Sequence, residues 1–255
     1  MGKVGGSRHL KCEATPIFWP IHRKKYTWTI KPDPGPHPIK RCIPLGIIIR
    51  DLLGYAETMR EVKKIVAQGN ILVDGRVRCD IHFPVGLMDV LSITEINKNW
   101  RVLPYGKGLA LFEINDEEAK YKICRIEGKA TLPGGHLQLN LHDGRNILIR
   151  CEDPRKPVGG EYHTLDTLRI SLPDQMILEH LRLDVGMMAL IVDGENLGRY
   201  GFIKSIDLIE KQKRRKCLVT IEDENGTAYQ TILDYLFVVG DGISRIFLPK
   251  VVKSA

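Results

Sequence analysis

Positive charges and flat rings alternate near the amino terminus, where Trp19, Tyr26 and Trp28 are interleaved with Arg23, Lys24 and Lys25. Cations neutralise phosphates and rings stack on bases, so this mixture suits nucleic acid. Lys3, Arg8, His9, Lys11, Lys40 and Arg41 extend the same character, and Trp19 is the ring expected to meet RNA. A competing reading, in which each tryptophan pins the segment to the protein body, stands beside it. Further along, Arg60, Lys63 and Lys64 place three cations within five residues. Arg76 and Arg78 follow an Asp74-Gly75 pair, and Lys211, Lys213, Arg214, Arg215 and Lys216 put five positive charges into six residues. One basic run alone is as often a solvated face as a binding site; several in one chain favour a polyanion, and nucleic acid over a membrane.

The residue types that carry covalent or metal chemistry are not arranged for it. There is no G-x-S-x-G, no H-E-x-x-H and no kinase motif set. The six cysteines are never closer than 27 residues apart, so no C-x-x-C pair serves zinc, iron–sulfur or redox chemistry. His9, Cys12, His22, His37 and Cys42 fit no zinc spacing. The expectation is a protein without cofactor, metal or small-molecule substrate, not an enzyme, that holds and positions a partner.

The charge distribution narrows the partner. Across 255 residues, 38 Lys+Arg face 31 Asp+Glu, a net charge of +7. Residues 1–41 hold nine of those cations against Glu13 and Asp33, so the other 214 residues are balanced. That asymmetry is what a basic arm on a neutral body looks like. No run approaches the ~18 apolar residues of a membrane span, and the amino terminus has no apolar leader, so a cytoplasmic location without membrane contact is expected.

The elements that must position these residues follow from local signals. Residues 1–41 lack periodicity and end in Lys31-Pro-Asp-Pro-Gly-Pro-His-Pro38, which reads as an extended basic arm. Pro44 can open a helix with Ile47, Ile48 and Leu52 on one face and Gly54 at its end. Thr58-Met-Arg-Glu61 is a capping box for a second helix, with Val62, Ile65 and Val66 inward, Gly69 as its stop, and Arg60, Lys63 and Lys64 outward. Ile71-Leu-Val, Asp74-Gly75 and Arg76-Val-Arg78 read as strand, type I′ turn, strand. Beyond Asp80 short Ile/Leu/Val runs broken by Gly and Pro read as β, with one short helix capped by Asp116. A loop with Gly194, Gly198 and Gly201 lies between two strands and is neither a Walker loop nor a Rossmann turn. The fold class is α+β, mostly β, in four parts: the arm at 1–41, a helix-hairpin RNA-binding domain at 42–104, a central β domain at 105–174 and a further β unit at 175–255.

The segment 42–93, with Val62-Lys-Lys-Ile65, Val73-Asp-Gly-Arg76 and Arg78, resembles the RNA-binding module first known from bacterial ribosomal protein four, and Gly194 to Ile203 resembles the KOW motif. In this order, with Arg8-His-Leu-Lys11, Gly35-Pro-His37, Glu118-Ala-Lys-Tyr-Lys122, His142-Asp-Gly144 and Phe237-Val-Val-Gly240, the chain resembles the archaeal and eukaryotic-type family of protein four of the small ribosomal subunit. The resemblance implies a structural constituent of that subunit, on the cytoplasmic ribosome, that binds ribosomal RNA, supports assembly and translation, and touches neighbouring ribosomal proteins. It implies an SH3-like KOW barrel at 175–255, with Asn196, Gly198 and Arg199 in the KOW loop and Arg60, Lys63, Lys64, Asp74, Gly75, Arg76 and Arg78 on the module's face. The alternatives are an RNA-modifying enzyme of the pseudouridine synthase type, although its Gly-Arg-Leu-Asp-like motif does not occur here, and a KOW-type transcription elongation factor.

Overall fold

The computed structural model describes residues 7–106, 108–151, 159–207, 217–223 and 225–249. It is mostly β, with few and short helices. Near the amino terminus β1 (Leu10–Lys11) and β2 (Trp28–Thr29) form a ribbon with Lys11 opposite Trp28. After β3 (Cys42–Pro44), Pro44 stands as the cap of α1 (Leu45–Ile47), and the chain continues in wider π-helical turns over Ile48–Leu52 to Gly54, whose φ is +69°. The expected helix is therefore present, but only its first turn is α-helical.

The second helix follows its sequence signals closely. In α2 (Met59–Ala67) the Thr58 hydroxyl accepts from the Glu61 N–H, and the Glu61 carboxylate accepts from the N–H groups of Glu57 and Thr58. These bonds hold Glu61 below the usual carboxylate range, the Thr58 side chain first among them. Val62 and Val66 are buried, and Gly69 adopts φ +81°, open to glycine at little cost. Then come β4 (Ile71–Val73), β5 (Arg76–Val77), β6 (Pro84–Gly86), β7 (Val90–Ile93), β8 (Lys98–Tyr105) and β9 (Gly108–Ile114). Asp74 and Gly75 have φ of 52° and 72°, the two positive values a type I′ turn needs. The strands β5-β4-β7-β8-β9 form an antiparallel sheet that runs past the boundary expected at 104, while β3 pairs with β6.

A second antiparallel sheet holds β10 (Tyr121–Thr131), β11 (Leu137–Leu141), β12 (Asn146–Ile149), β13 (Thr167–Ser171) and β14 (Ile177–Leu181), in the order β12-β11-β10-β13-β14. It is preceded by α3 (Asp116–Ala119), whose cap is Asn115, so the helix expected to be capped by Asp116 begins one residue earlier than expected. The third sheet, ordered β18-β17-β16-β15-β19-β20, comprises β15 (Met188–Ile191), β16 (Tyr200–Asp207), β17 (Leu218–Glu222), β18 (Ala228–Ile232), β19 (Leu236–Asp241) and β20 (Ile243–Ser244).

Apolar packing ties these pieces together. One core gathers α1, α2 and the first sheet, and it includes Trp19 and Ile30 from the N-terminal segment. Trp19 is 3% exposed and its indole N–H donates to the Cys42 carbonyl at 2.8 Å. A ring of this size buries ~200 Å², worth at most about 5 kcal/mol at ~25 cal/mol per Å². Part of the expected arm is thus integral to the fold, and Trp19, expected to stack on RNA, is a core residue instead. Another core draws Met88 and Leu103, Ile123, and Met188, Leu190 and Phe237 from regions of all three sheets.

Candidate nucleic-acid interface

The β1–β2 ribbon, the π-helical turns after α1 and the start of α2 enclose an open groove of about 900 Å³. Lys25, Tyr26 and Trp28 enter it from the ribbon side, and Arg50 and Lys63 from the helices. Tyr26 is 51% and Trp28 56% exposed, while Trp19 and the 6%-exposed Trp100 are buried. Cations border both rings: the Lys11 Nζ lies 5.9 Å from the Trp28 centroid, and the Lys25 Nζ and Arg50 Cζ lie 5.4 and 5.8 Å from that of Tyr26. The His9 ring is 5.5 Å from Trp28. Lys24, Lys25, Arg60 and Lys63 form no ion pair among the described residues. Of the three rings interleaved with cations, the one expected to meet RNA, Trp19, is buried, while Tyr26 and Trp28 are open beside Arg50, a residue the sequence does not mark.

Other expected contacts are distributed differently. Arg8, His9, Lys11, Lys24, Lys40, Arg60, Lys64 and Arg76 are exposed, as the interface reading requires. Arg23 is turned onto its own loop, donating to the carbonyls of Glu13, Thr15 and Pro16 at 3.0–3.4 Å. Arg41 pairs with Asp193 at 3.4 Å across the surface. Arg78 stacks on Phe83, 4.2 Å from the ring centroid, and is half-buried. In the glycine loop, Asn196 donates to the Gln230 carbonyl at 3.4 Å and Arg199 lies 4.3 Å over the Tyr229 ring. Gly198 corrects the expectation of an RNA contact: it is buried, with φ +81°, and a Cβ there would meet the Pro104 carbonyl oxygen at 2.9 Å. Its missing side chain serves close packing on β8. Lys3, Lys211, Lys213, Arg214, Arg215 and Lys216 lie outside the described residues.

The hairpin tip gives a second correction. Asp74, expected on the RNA face, is 5% exposed and points into the protein, while a Cβ on Gly75 would lie 3.3 Å from Pro173. Asp74 accepts from the Val90 N–H and from Lys122, whose ammonium also contacts Asp89 and Asp143 at 2.5–2.9 Å. Arg145 reaches Asp74 at 2.5 Å and Asp143 at 3.2 Å, and His37 sits 3.1 Å from Asp89. The cluster joins the first sheet to β10 and the β11–β12 turn. Burial alone would lower the Lys122 pKa, but Asp74, Asp89 and Asp143 hold it well above its ordinary value. Burial works against ionised Asp89 and Asp143 as well; the contacts with His37 and Lys122 for Asp89, and with Lys122 foremost for Asp143, keep both low. Asp74 moves the other way, raised by burial, as expected when three carboxylates share fewer cations.

Next to this cluster, ligand atoms of Cys124, His142 and Asp143 lie within 4.8 Å of one another. They are poorly placed for a metal ion. The Asp143 carboxylate is engaged by Lys122 and Arg145. Both His142 nitrogens face backbone: Nδ1 accepts from the Arg125 N–H, and Nε2 lies 3.2 Å from the Leu87 carbonyl, to which it donates. Burial pushes the Cys124 thiol well up, away from the thiolate a metal needs. The lysine ammonium already supplies the cation.

Known proteins share this architecture. The chain matches the model of the Ribosomal family S4e over residues 96–177, the RS4NT domain over residues 4–40 and the S4 domain over residues 51–91. It is 51% identical over 251 residues to a protein of Staphylothermus marinus named small ribosomal subunit protein eS4, covering 98% of this chain and 99% of that one. The identically named protein of Aeropyrum pernix is 49% identical, with 98% of both chains covered. A crystal structure of the 30S ribosomal protein S4e from Thermoplasma acidophilum is 30% identical and matches with a TM-score of 0.65, over 79% of this chain and 96% of that chain.

Proposed function

This chain belongs to the eS4 family of small ribosomal subunit proteins, and from that membership we propose that the groove between the N-terminal ribbon and α2 is a face on which it holds small-subunit ribosomal RNA. The protein is a structural constituent of the small subunit of the cytoplasmic ribosome and not an enzyme. Relatives matched over nearly their whole length support that role and neither alternative, the pseudouridine synthase nor the elongation factor. One observation carries the RNA reading: Lys25 from the ribbon and Lys63 from α2, two cations without ion pairs among the described residues, line the same groove as exposed Tyr26 and Trp28. Lysines neutralise phosphates wherever the RNA sequence runs, and exposed rings stack on unpaired bases.

The same reading assigns finer roles. The exposed Arg60, Lys64 and Arg76 continue the phosphate-binding face of the helix-hairpin domain. The third sheet with its Gly194–Gly201 loop acts as a KOW-type barrel in which Arg199 contacts RNA, and the basic run 211–216 provides another RNA-binding segment. The central sheet positions the two and faces neighbouring ribosomal proteins. Ultraviolet crosslinking of intact small subunits followed by peptide mapping tests the first assignment. Crosslinks from the peptide holding Tyr26 and Trp28 to ribosomal RNA are expected; crosslinks confined to other faces of the protein would overturn it.

A further inference from the structure

The groove contains more than positive charge, and its two rings specify what kind of RNA it accepts. Trp19 and Trp100 show where this fold places indoles by default, at 3% and 6% exposure, whereas Trp28 and Tyr26 stand more than half open with cations beside them. The groove also contains two acids. Asp51 is held by Arg50 through two bonds of 2.9–3.0 Å, which removes its repulsion for phosphate, and Glu57 stands at the start of α2. Lys25 and Lys63 therefore set the sign of the site.

We propose that this groove binds an unpaired ribonucleotide segment, with bases stacked on Trp28 and Tyr26 and phosphates on Lys25 and Lys63. The inference rests on the ribosomal RNA reading above and narrows it to single-stranded RNA. In a duplex each base face is covered by its neighbours, so two open rings in a groove gain nothing from paired RNA except at its ends. An unpaired base offers a free π-face to either ring, and each stacked base adds about 5- to 150-fold in affinity. The cations bordering the rings serve stacking too, because they sit where the phosphates linking successive bases must pass.

The arrangement of the tryptophans supplies the readout. Trp28 is the one exposed indole of three, so quenching of tryptophan emission by RNA reports on this groove. Full-length protein is titrated with an unstructured oligoribonucleotide of ~4–16 nucleotides and, separately, with a blunt RNA duplex of equal charge. Quenching by the single strand and little quenching by the duplex is expected. Read by the anisotropy of dye-labelled RNA, which needs no Trp28, Trp28→Leu should weaken the single strand about 5- to 150-fold while leaving duplex affinity within about twofold, and Trp28→Phe should restore most of the affinity. Because Trp28 is exposed, the unfolding transition of both variants should match wild type, which separates an effect on stacking from an effect on folding. Both RNAs binding without quenching, or equal weakening of single strand and duplex in Trp28→Leu, overturns the stacking inference and leaves the broader RNA reading intact. Binding of neither RNA overturns the broader reading as well.

Discussion

Lys63 and Lys122 are the same amino acid in opposite circumstances. Lys63 lines an open groove beside exposed rings and has no acidic partner among the described residues. Lys122 is fully buried and holds three carboxylates within 2.9 Å. The groove leaves Lys25 and Lys63 without acidic partners among the described residues and so keeps them available for a polyanion. The junction neutralises its positive charge inside the protein, locking the first sheet to the second. A count of cations along the chain cannot separate the two; the carboxylates around each one do.

The largest effect should come from breaking the junction. Lys122→Met leaves Asp74 and Asp143 to Arg145 and Asp89 to His37, and removing one partner of a buried ion pair typically costs about 3–5 kcal/mol. Denaturant unfolding should show that decrease, whereas Lys63→Met should leave stability within about 0.5 kcal/mol. Equal destabilisation by the two substitutions would erase the contrast.

Acid should attack the junction next. His142 is half-buried against Phe237, and its burial lowers its pKa from an ordinary 6.5 to about 3. Its folded pKa thus lies below the unfolded one, so the unfolded chain binds the extra proton. The stability this confers is complete above pH ~6.5 and declines toward pH ~3, by at most about 1.4 kcal/mol per pH unit for one proton. Asp89 and Asp143, also lowered, extend the decline below the ordinary carboxylate pKa of 3.8. Thermal unfolding from pH 7 to 4 should show a falling midpoint that His142→Gln flattens; an unchanged slope in that variant would assign the acid sensitivity elsewhere.

A smaller effect sharpens the groove side. Thr58→Ala removes the hydroxyl that caps α2 and should cost about 1 kcal/mol. Because Lys63 is carried by that helix, a modest drop in RNA affinity should accompany the destabilisation at the temperature where α2 begins to fray. Calorimetry and RNA titration on the same sample check both; a stability change near zero would mean the cap does not position the helix.

How far the sequence reveals this contrast depends on the range of the forces involved. The capping box, Gly69 and the Asp74-Gly75 turn are readable because their partners lie within four residues. The junction is not, because Asp74, Asp89, Asp143 and Lys122 meet only after three parts of the chain pack together. Lys122 also hides in β10, the longest strand, whose charged residues Lys122 and Arg125 break the apolar pattern by which strands are found. In the folded protein those charges are satisfied, Arg125 by the carbonyls of Asp234 and Leu236 at 2.7–2.8 Å. The rings follow the same rule. Alternation of aromatics with lysines marks the region as an interface, but which indole faces outward is decided by the core around Cys42, far along the chain from Trp19.

The claim that the groove lysines are free for phosphate, and junction cations are not, is tested most directly by the salt dependence of binding. Affinity of full-length protein for small-subunit ribosomal RNA is measured across salt concentrations for wild type and for the double variant Lys25→Gln/Lys63→Gln. Each phosphate deprived of its lysine should reduce the slope of log affinity against log salt by ~0.7–0.9, so a reduction of ~1.4–1.8 is predicted for the two. An unchanged slope with an intact fold would contradict the account.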